Sequence, residues 1–253
     1  MEEQVVKTKE IMEVCLLAGK IMLQSGGETY RVEDTMTRMA AAFGIENTNC
    51  FVTPTGIIFS AEGNGPTRTK LIRISERSTD LQKVAMVNSI SRGISSGDIN
   101  LKQAIDQLNE INSMNLTFPI LVQAAAASLA SGCFMIMYNG GWNDFIPALI
   151  SGGAGYLSFV YFNRVVSVKF FSEFLAAFVI GLLSFLSVHM GMGQQLDKII
   201  IGSVMPLVPG LLVTNAIRDL MAGHLVAGLS KGAEAFLTAF AIGAGIAFVV
   251  SFL

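Results

Sequence analysis

Charge is scarce in this chain and unevenly spread. Only 14% of its 253 residues are Asp, Glu, Lys or Arg, against roughly a quarter in soluble domains. Twelve Lys+Arg and 14 Asp+Glu precede Phe118, and five of each sign follow it. The formal net charge is −2 with no basic run, so the electrostatic footprint of a nucleic-acid binder is missing. Cysteine is also sparse. Cys15, Cys50 and Cys133 form no CxxC pair and no metal-ligand spacing, which leaves neither a disulfide framework nor a metal site to propose. Cys15 falls on an apolar helical face and reads as core. Histidine is confined to His189 and His224, and there is no GxSxG elbow, HExxH pair or phosphate-binding P-loop. Hydrolytic, zinc-dependent and nucleotide-driven chemistry therefore lack their signatures, and no cofactor is implied. The N-terminus, Met-Glu-Glu-Gln and then an amphipathic stretch, is not a signal peptide. The first half is expected to stay in the cytosol.

What the chain has is apolar length. Five runs, about 119–137, 145–162, 170–188, 198–217 and 233–253, each approach the ~20 residues that cross a bilayer. They predict a mainly α membrane protein, with a transmembrane domain over 118–253 in contact with the lipid bilayer. The fourth run contains Gly-Ser-Val-Met-Pro-Leu-Val-Pro-Gly-Leu-Leu-Val-Thr-Asn-Ala-Ile-Arg-Asp, residues 202–219. Pro206 and Pro209 remove backbone donors and break the helix. The freed carbonyls need another partner, and broken helices of this kind build transporter sites. Pro206, Pro209, Gly210, Asn215 and Arg218 are accordingly candidates for a substrate site or pathway. A zwitterion would find carbonyls for its ammonium group and a helix start for its carboxylate. The links between runs two and three (Arg164, Lys169) and four and five (Arg218, Lys231) carry most of the positive charge. That bias places them with the first half on the cytosolic side and the C-terminus outside, provided the fourth run spans rather than re-enters.

Acids in this half are costly and hence informative. Asp219 and Glu234 are proton-coupling candidates; the plainer alternative for Glu234, as for Glu173, is that it snorkels or pairs with a neighbouring cation, Lys231 or Lys169. Gly152, Gly153, Gly155, Gly181, Gly243 and Gly245 read as close helix packing.

Residues 1–117 predict a cytosolic α+β domain in the order α-α-β-β-β-α-α. Ile11, Val14, Cys15, Ala18, Ile21 and Met22 recur at helical spacing. Ser25 with Glu28 matches a capping box for a second helix, which Gly44 ends. Short β-rich stretches at 49–53, 57–62 and 68–75 are separated by turns at Pro54-Thr55-Gly56 and Gly63–Pro66. Asp80 and Asp98 are expected to open the last two helices. The strongest polar grouping is Glu28, Tyr30 and Arg31, followed by Glu33, Asp34 and Arg38, with Arg73 and Arg77 further on. Two readings stand: a solvated face laced by ion pairs, or an anion site near a helix start.

Ser25-Gly-Gly-Glu-Thr-Tyr-Arg-Val-Glu-Asp-Thr-Met, the Arg-x-x-x-Arg of Arg73 and Arg77, Pro206-Leu-Val-Pro-Gly and Thr214-Asn-Ala-Ile-Arg-Asp together resemble the threonine/serine exporter family. They are most similar to its N-terminal component of the split, two-polypeptide type. The resemblance covers nearly the whole chain. It implies a plasma- (inner-) membrane secondary transporter that exports small amino acids by proton-coupled antiport. For some split members it implies dicarboxylate (succinate) export. It also implies a second membrane module, expected here on a separate small membrane partner subunit, with a homo-oligomer as another possibility. A non-transporting regulatory subunit and a membrane-tethered hydrolase are the alternatives; the latter finds no nucleophile–base pair in the residues.

Overall fold

Helix-forming periodicity fills most of the chain, and the structure, a computed structural model, is mostly helical with one small sheet. It describes residues 2–63, 66–166, 168 and 170–252. Asn64 and Gly65 of the second expected turn, Lys169 and Leu253 lie outside the described residues. By contact the chain divides into two units, Met1–Thr117 with Val213–Gly232, and Phe118–Leu212 with Ala233–Leu253.

In the first unit, α1 (Glu2–Gln24), α2 (Thr29–Ala42), α3 (Leu81–Ser95) and α4 (Leu101–Ser113) pack with an antiparallel meander. Its strands are β1 (Asn47–Thr53), β2 (Gly56–Glu62) and β3 (Arg68–Arg73), in the order β1-β2-β3. Thr53 pairs with Gly56, so Pro54-Thr55 is a two-residue hairpin loop. Strand alternation turns Ile57, Phe59 and Ala61 of β2 into the core. There they join Leu16, Met22, Met36 and Leu108. Cys15 is core as expected, fully buried, with burial pushing its thiol up to about 12.

Two helix boundaries differ from the expected capping. Ser25 does not cap α2. Gly26 takes a positive φ of 86°, Gly27 N–H donates to Met22 O at 2.9 Å and Gly26 N–H to Leu23 O at 3.4 Å. That is a Schellman ending of α1. The N-cap of α2 is Glu28, whose side chain makes no capping bond. Helix α4 is opened by Asn100, in a reciprocal box with Gln103, rather than by Asp98. Asp98 instead follows the Gly97 turn that ends α3 and donates its N–H to Gly93 O. Asp80 caps α3, and Gly44 ends α2, as their spacing suggests.

The second unit holds α5 (Ile120–Met137), α6 (Phe145–Val165), α7 (Phe171–His189) and α8 (Leu196–Val204). Next come a 3₁₀ turn, Met205–Leu207, and then α9 (Gly210–Met221) and α10 (Leu225–Phe252). Val213–Met221 of α9 and Leu225–Gly232 of α10 belong to the first unit. Ala233–Phe252 then leaves about 30 Å of helix at ~1.5 Å per residue, the thickness of a hydrocarbon core. Among the described residues four helical segments, Ile120–Met137, Trp142–Val165, Phe171–His189 and Leu225–Phe252, are long and apolar enough to cross a membrane. A fifth is added if the pair Leu196–Leu207 and Gly210–Met221, bent by 60°, counts as one span. Leu121, Leu129, Phe236 and Phe240 are exposed on these helices, as lipid-facing side chains would be.

Small residues bring the helices together. A Cβ on Gly152 or Gly153 would collide with Ser131 or Ser128 of α5, and one on Gly245 with the Phe174 carbonyl of α7. Gly243, by contrast, has nothing within 4 Å, so chain packing does not account for it. A close approach to another helix's backbone that was not anticipated is at Gly202. A Cβ there would lie 2.7 Å from Ser131 O and 2.8 Å from Met135 N, both backbone atoms of α5. Gly202→Ala is therefore expected to destabilise the second unit by about 1–3 kcal/mol, the usual cost of overpacking. The check is the thermal midpoint of the detergent-purified protein; a midpoint equal to wild type would show that α8 and α5 can separate freely.

Candidate functional site

Two segments far apart in sequence meet inside the first unit. One is the Gly26–Arg31 stretch, the turn that ends α1 and opens α2. The other is the polar end of α9 with the first turns of α10. Helical spacing puts Asn215, Arg218 and Asp219 on one side of α9, and each finds a partner in the first stretch. Asn215 Nδ2 donates to Gly26 O at 2.9 Å. Arg218 Nη1 donates to Glu28 Oε1 at 2.6 Å. Asp219 Oδ2 accepts from Thr29 Oγ1 at 2.8 Å, and Oδ1 from the Tyr30 N–H at 3.3 Å. Lys231 of α10 completes the set, with Nζ 2.8 Å from Asp219 Oδ2 and 3.4 Å from Gly27 O. Every residue from Gly26 to Tyr30 is thus engaged by α9 or α10.

The centre of this knot is dry. Asp219 has no exposed surface and Lys231 is 3% exposed. An ion pair taken out of water in this way survives only when its remaining lone pairs and protons are met. Thr29, the Tyr30 amide and the Gly27 carbonyl do that here. The amides of the first turn of α2 also favour a carboxylate beside them. Glu28 is clamped between two arginines, Arg31 Nη1 at 3.0 Å and Arg218 Nη1 at 2.6 Å. At the edge of the knot, His224 Nδ1 stands 3.4 Å from Glu33 Oε1, which also accepts from the Val52 N–H at 2.8 Å.

The two glutamates respond oppositely to their surroundings. Burial pushes the Glu28 carboxyl up, but its own backbone N–H, Arg218 and Arg31 outweigh burial and hold it below the usual carboxylate range. For Glu33 burial wins over the Val52 N–H and His224, with the Asp219 charge adding to it, and the carboxyl lies above that range. Glu28 therefore contributes stability that is present above its unfolded pKa and lost as pH falls through its lower folded value. Glu33 contributes stability that is present below its unfolded pKa and lost as pH rises through its higher folded value. Glu28→Gln is expected to flatten the acid limb of a melting-temperature-against-pH curve. Glu33→Gln is expected to reduce the loss of stability on the way to neutral pH. Parallel, pH-independent shifts in both variants would contradict these assignments.

The other sequence candidates lie elsewhere. Tyr30 contributes its backbone; among the described residues its hydroxyl has no hydrogen-bond partner. Arg73 ends β3 and is exposed. Arg77 lines a separate groove with Glu76, Asp80 and Lys83. Pro206, Pro209 and Gly210 form the break after α8 in the second unit, and Glu234 is on the α10 portion of that unit. The two carbonyls the prolines orphan are met within the turn itself. Met205 N–H donates to Gly202 O, and Val208 N–H to Met205 O at 3.2 Å. Lys231, an alternative partner for Glu234 by proximity, pairs with Asp219, twelve positions away. Asp144, read only as part of a turn, is buried and accepts from the Gln194 N–H at 2.6 Å and the Gln195 N–H at 3.3 Å, fixing the entry to α8. Among the described residues no group of three metal-ligating side chains occurs.

The sequence pattern of the ThrE family, described as "Putative threonine/serine exporter", matches residues 13–253. The chain is 25% identical over 236 residues to a "Probable threonine/serine exporter" of Mycobacterium tuberculosis, covering 92% of this chain and 44% of that protein. It is 23% identical to the "Probable succinate transporter subunit YjjP" of Klebsiella aerogenes, covering 97% and 95%. It is 24% identical to the protein of the same name from Escherichia coli, covering 96% and 94%. It thus spans less than half of the first relative and nearly all of the other two. No solved structure matches it.

Proposed function

The chain belongs to the threonine/serine exporter family, a family of transporters rather than enzymes, and from that premise we propose that it is a membrane subunit exporting small carboxylate-bearing metabolites. The substrates proposed are threonine and serine, and the driving force a proton gradient across the plasma membrane. The first unit faces the cytosol and the C-terminus the outside. A second membrane subunit completes the pathway, corresponding to the part of the Mycobacterium tuberculosis relative that this chain does not cover. It is the split-type arrangement that the extent of the match to the two YjjP proteins favours.

The observation that carries this reading is the proline break between α8 and α9. An apolar segment bent by 60° at Pro206–Gly210 is the backbone from which transporters make midplane sites. The start of α9 offers N–H groups to a substrate carboxylate. Because the carbonyls of Gly202 and Met205 already accept one bond each inside the turn, an ammonium group would use their second lone pairs. Asn215, Arg218 and Asp219 serve as the anchor of the polar end of α9. Asp219 is saturated by Lys231, Thr29 and the Tyr30 amide, which counts against Asp219 for proton coupling.

Dicarboxylate export is the second reading, favoured by the near-complete coverage of the two proteins named succinate transporter subunits. The test is efflux from proteoliposomes carrying this chain with and without its partner subunit, comparing threonine, serine and succinate, with and without a pH gradient. Threonine or serine efflux that follows the gradient supports the proposal. Succinate efflux alone selects the second reading, and no efflux of any of the three with the partner present overturns both.

A further inference from the structure

Between α2 and α3 runs a trough of about 330 Å³ that shares only Arg31 with the knot. Its α2 wall carries Arg31 and Arg38, and its α3 wall carries Asn88 and Arg92. The spacing explains the alignment. Arg31 and Arg38 are seven residues apart on one helix, Asn88 and Arg92 four apart on the other, so each pair shares a face. Between them the lining is small, Thr35 on one side and Ala85 on the other, so the walls are not bridged by bulk. Three guanidinium groups face the trough against one carboxylate, Asp34, which is paired with Arg38. Arg31 gives one nitrogen to Glu28 and keeps its remaining donors. Among the described residues the Arg92 guanidinium has no ion-pair or hydrogen-bond partner; only its carbonyl is engaged, by Ser96.

The counter-ions of Arg31 and Arg38, Glu28 and Asp34, both lie on the α2 side, so the trough carries an excess of positive charge toward α3 that attracts an anion. Guanidinium groups are suited to planar carboxylates, which they grip two oxygens at a time. Cations on two opposite walls suit a ligand with an anionic group at each end better than one compact or singly charged ion. We propose that this trough is a binding site for a small dicarboxylate on the polar unit, with Arg92 holding one end and Arg31 and Arg38 the other. Arg31 also contacts Glu28, so occupancy would be felt at the Glu28–Arg218 contact of the knot. The proposal rests on the trough alone and does not require that the chain transport anything.

The experiment is isothermal titration of the detergent-purified full chain with succinate, inorganic phosphate and acetate at matched ionic strength. Succinate is expected to bind at least about tenfold more tightly than either of the others. Arg92→Ala is expected to weaken succinate binding by about tenfold or more, the scale of one lost charged contact. Arg92→Lys, which keeps the charge but not the fork, should fall between. Ala85→Phe leaves every charge in place and fills the trough from an exposed position, and it should abolish binding while the melting temperature is retained. Equal binding of succinate and acetate, phosphate binding as tight as succinate, or succinate binding indifferent to both Arg92→Ala and Ala85→Phe would each overturn the assignment. Efflux measured separately on the same variants keeps this result distinct from the transport reading.

Discussion

Lys231→Met is expected to destabilise the polar unit by about 3–5 kcal/mol, the usual cost of removing one partner of a buried ion pair. Methionine preserves most of the lysine stem, so lost packing contributes little. What remains is the Asp219 carboxylate, fully buried and 2.8 Å from where the ammonium stood, with only Thr29 and the Tyr30 amide to meet its charge. Thermal unfolding of the full chain in detergent reads the loss. So does limited proteolysis, because an unpaired Asp219 should release the α9–α10 connection from the Gly26–Tyr30 turn. The double variant Asp219→Leu, Lys231→Met removes both charges and should cost far less than the two single changes together, since apolar replacement of a buried pair is often near neutral. A single Lys231→Met cost below about 1 kcal/mol, the range of exposed pairs, would mean the contact is wet and the knot is not held by charge.

That expectation concerns more than one contact, because the knot uses backbone as well as side chains. Gly26 and Gly27 present carbonyls at the Schellman ending of α1, and these accept from Asn215 and Lys231. A conventional capping arrangement at Ser25 and Glu28 would have turned Glu28 back onto its own helix. Releasing Glu28 from capping leaves its carboxylate free to bridge Arg31 and Arg218. The glycines therefore matter twice, once for the turn and once for the carbonyls it exposes. Adding a Cβ at Gly27 would bring it to 3.0 Å from Met22 O, the acceptor of the turn's own hydrogen bond.

Local signals in the sequence carried much of this fold. β-rich composition between turn residues located β2, and its register follows from the short Pro54-Thr55 loop. Helical periodicity found α1 and α2 and the cap at Asp80. Gly44 and Gly97 mark helix ends through the positive φ that glycine adopts without strain. Where one residue type serves two local purposes, the reading slipped. Ser-Gly-Gly-Glu fits a capping box and a glycine-terminated helix equally, and the second won because Gly26 and Gly27 are the better helix stop. The knot was half legible. Its members Glu28, Arg31, Asn215, Arg218 and Asp219 stood out as polar residues in suspicious places. Their pairing across about 190 residues leaves no mark in local spacing. Lys231 shows the difficulty: Glu234 is one turn away in sequence, yet Asp219 offers a buried carboxylate. The usable signal was that Asn215, Arg218 and Asp219 share one face of a helix too apolar to leave them in water.

Pro209→Ala is expected to lower efflux at least tenfold while membrane insertion and yield stay normal. A proline in a helix interior costs about 3 kcal/mol, so removing it favours the unbroken helix by a similar amount, roughly two orders of magnitude in population. The alanine N–H would compete for Met205 O, which now accepts from Val208 at 3.2 Å. Winning that competition would dissolve the 3₁₀ turn, Met205–Leu207, and remove the separate start of α9 on which the proposed carboxylate recognition depends. Gly210→Ala is the matched control. A Cβ at Gly210 meets nothing within 4 Å, and alanine propagates a helix better than glycine, so this change leaves the break in place. Because the Gly210 N–H is already given to Val208 O at 2.8 Å, the proposed carboxylate would use the N–H groups that follow it, and efflux in Gly210→Ala should stay close to wild type. A large loss in Pro209→Ala with little change in Gly210→Ala assigns the effect to the bend. Loss in both would place substrate against Gly210. Normal efflux in Pro209→Ala would remove the break from the pathway and leave the export reading without its structural basis.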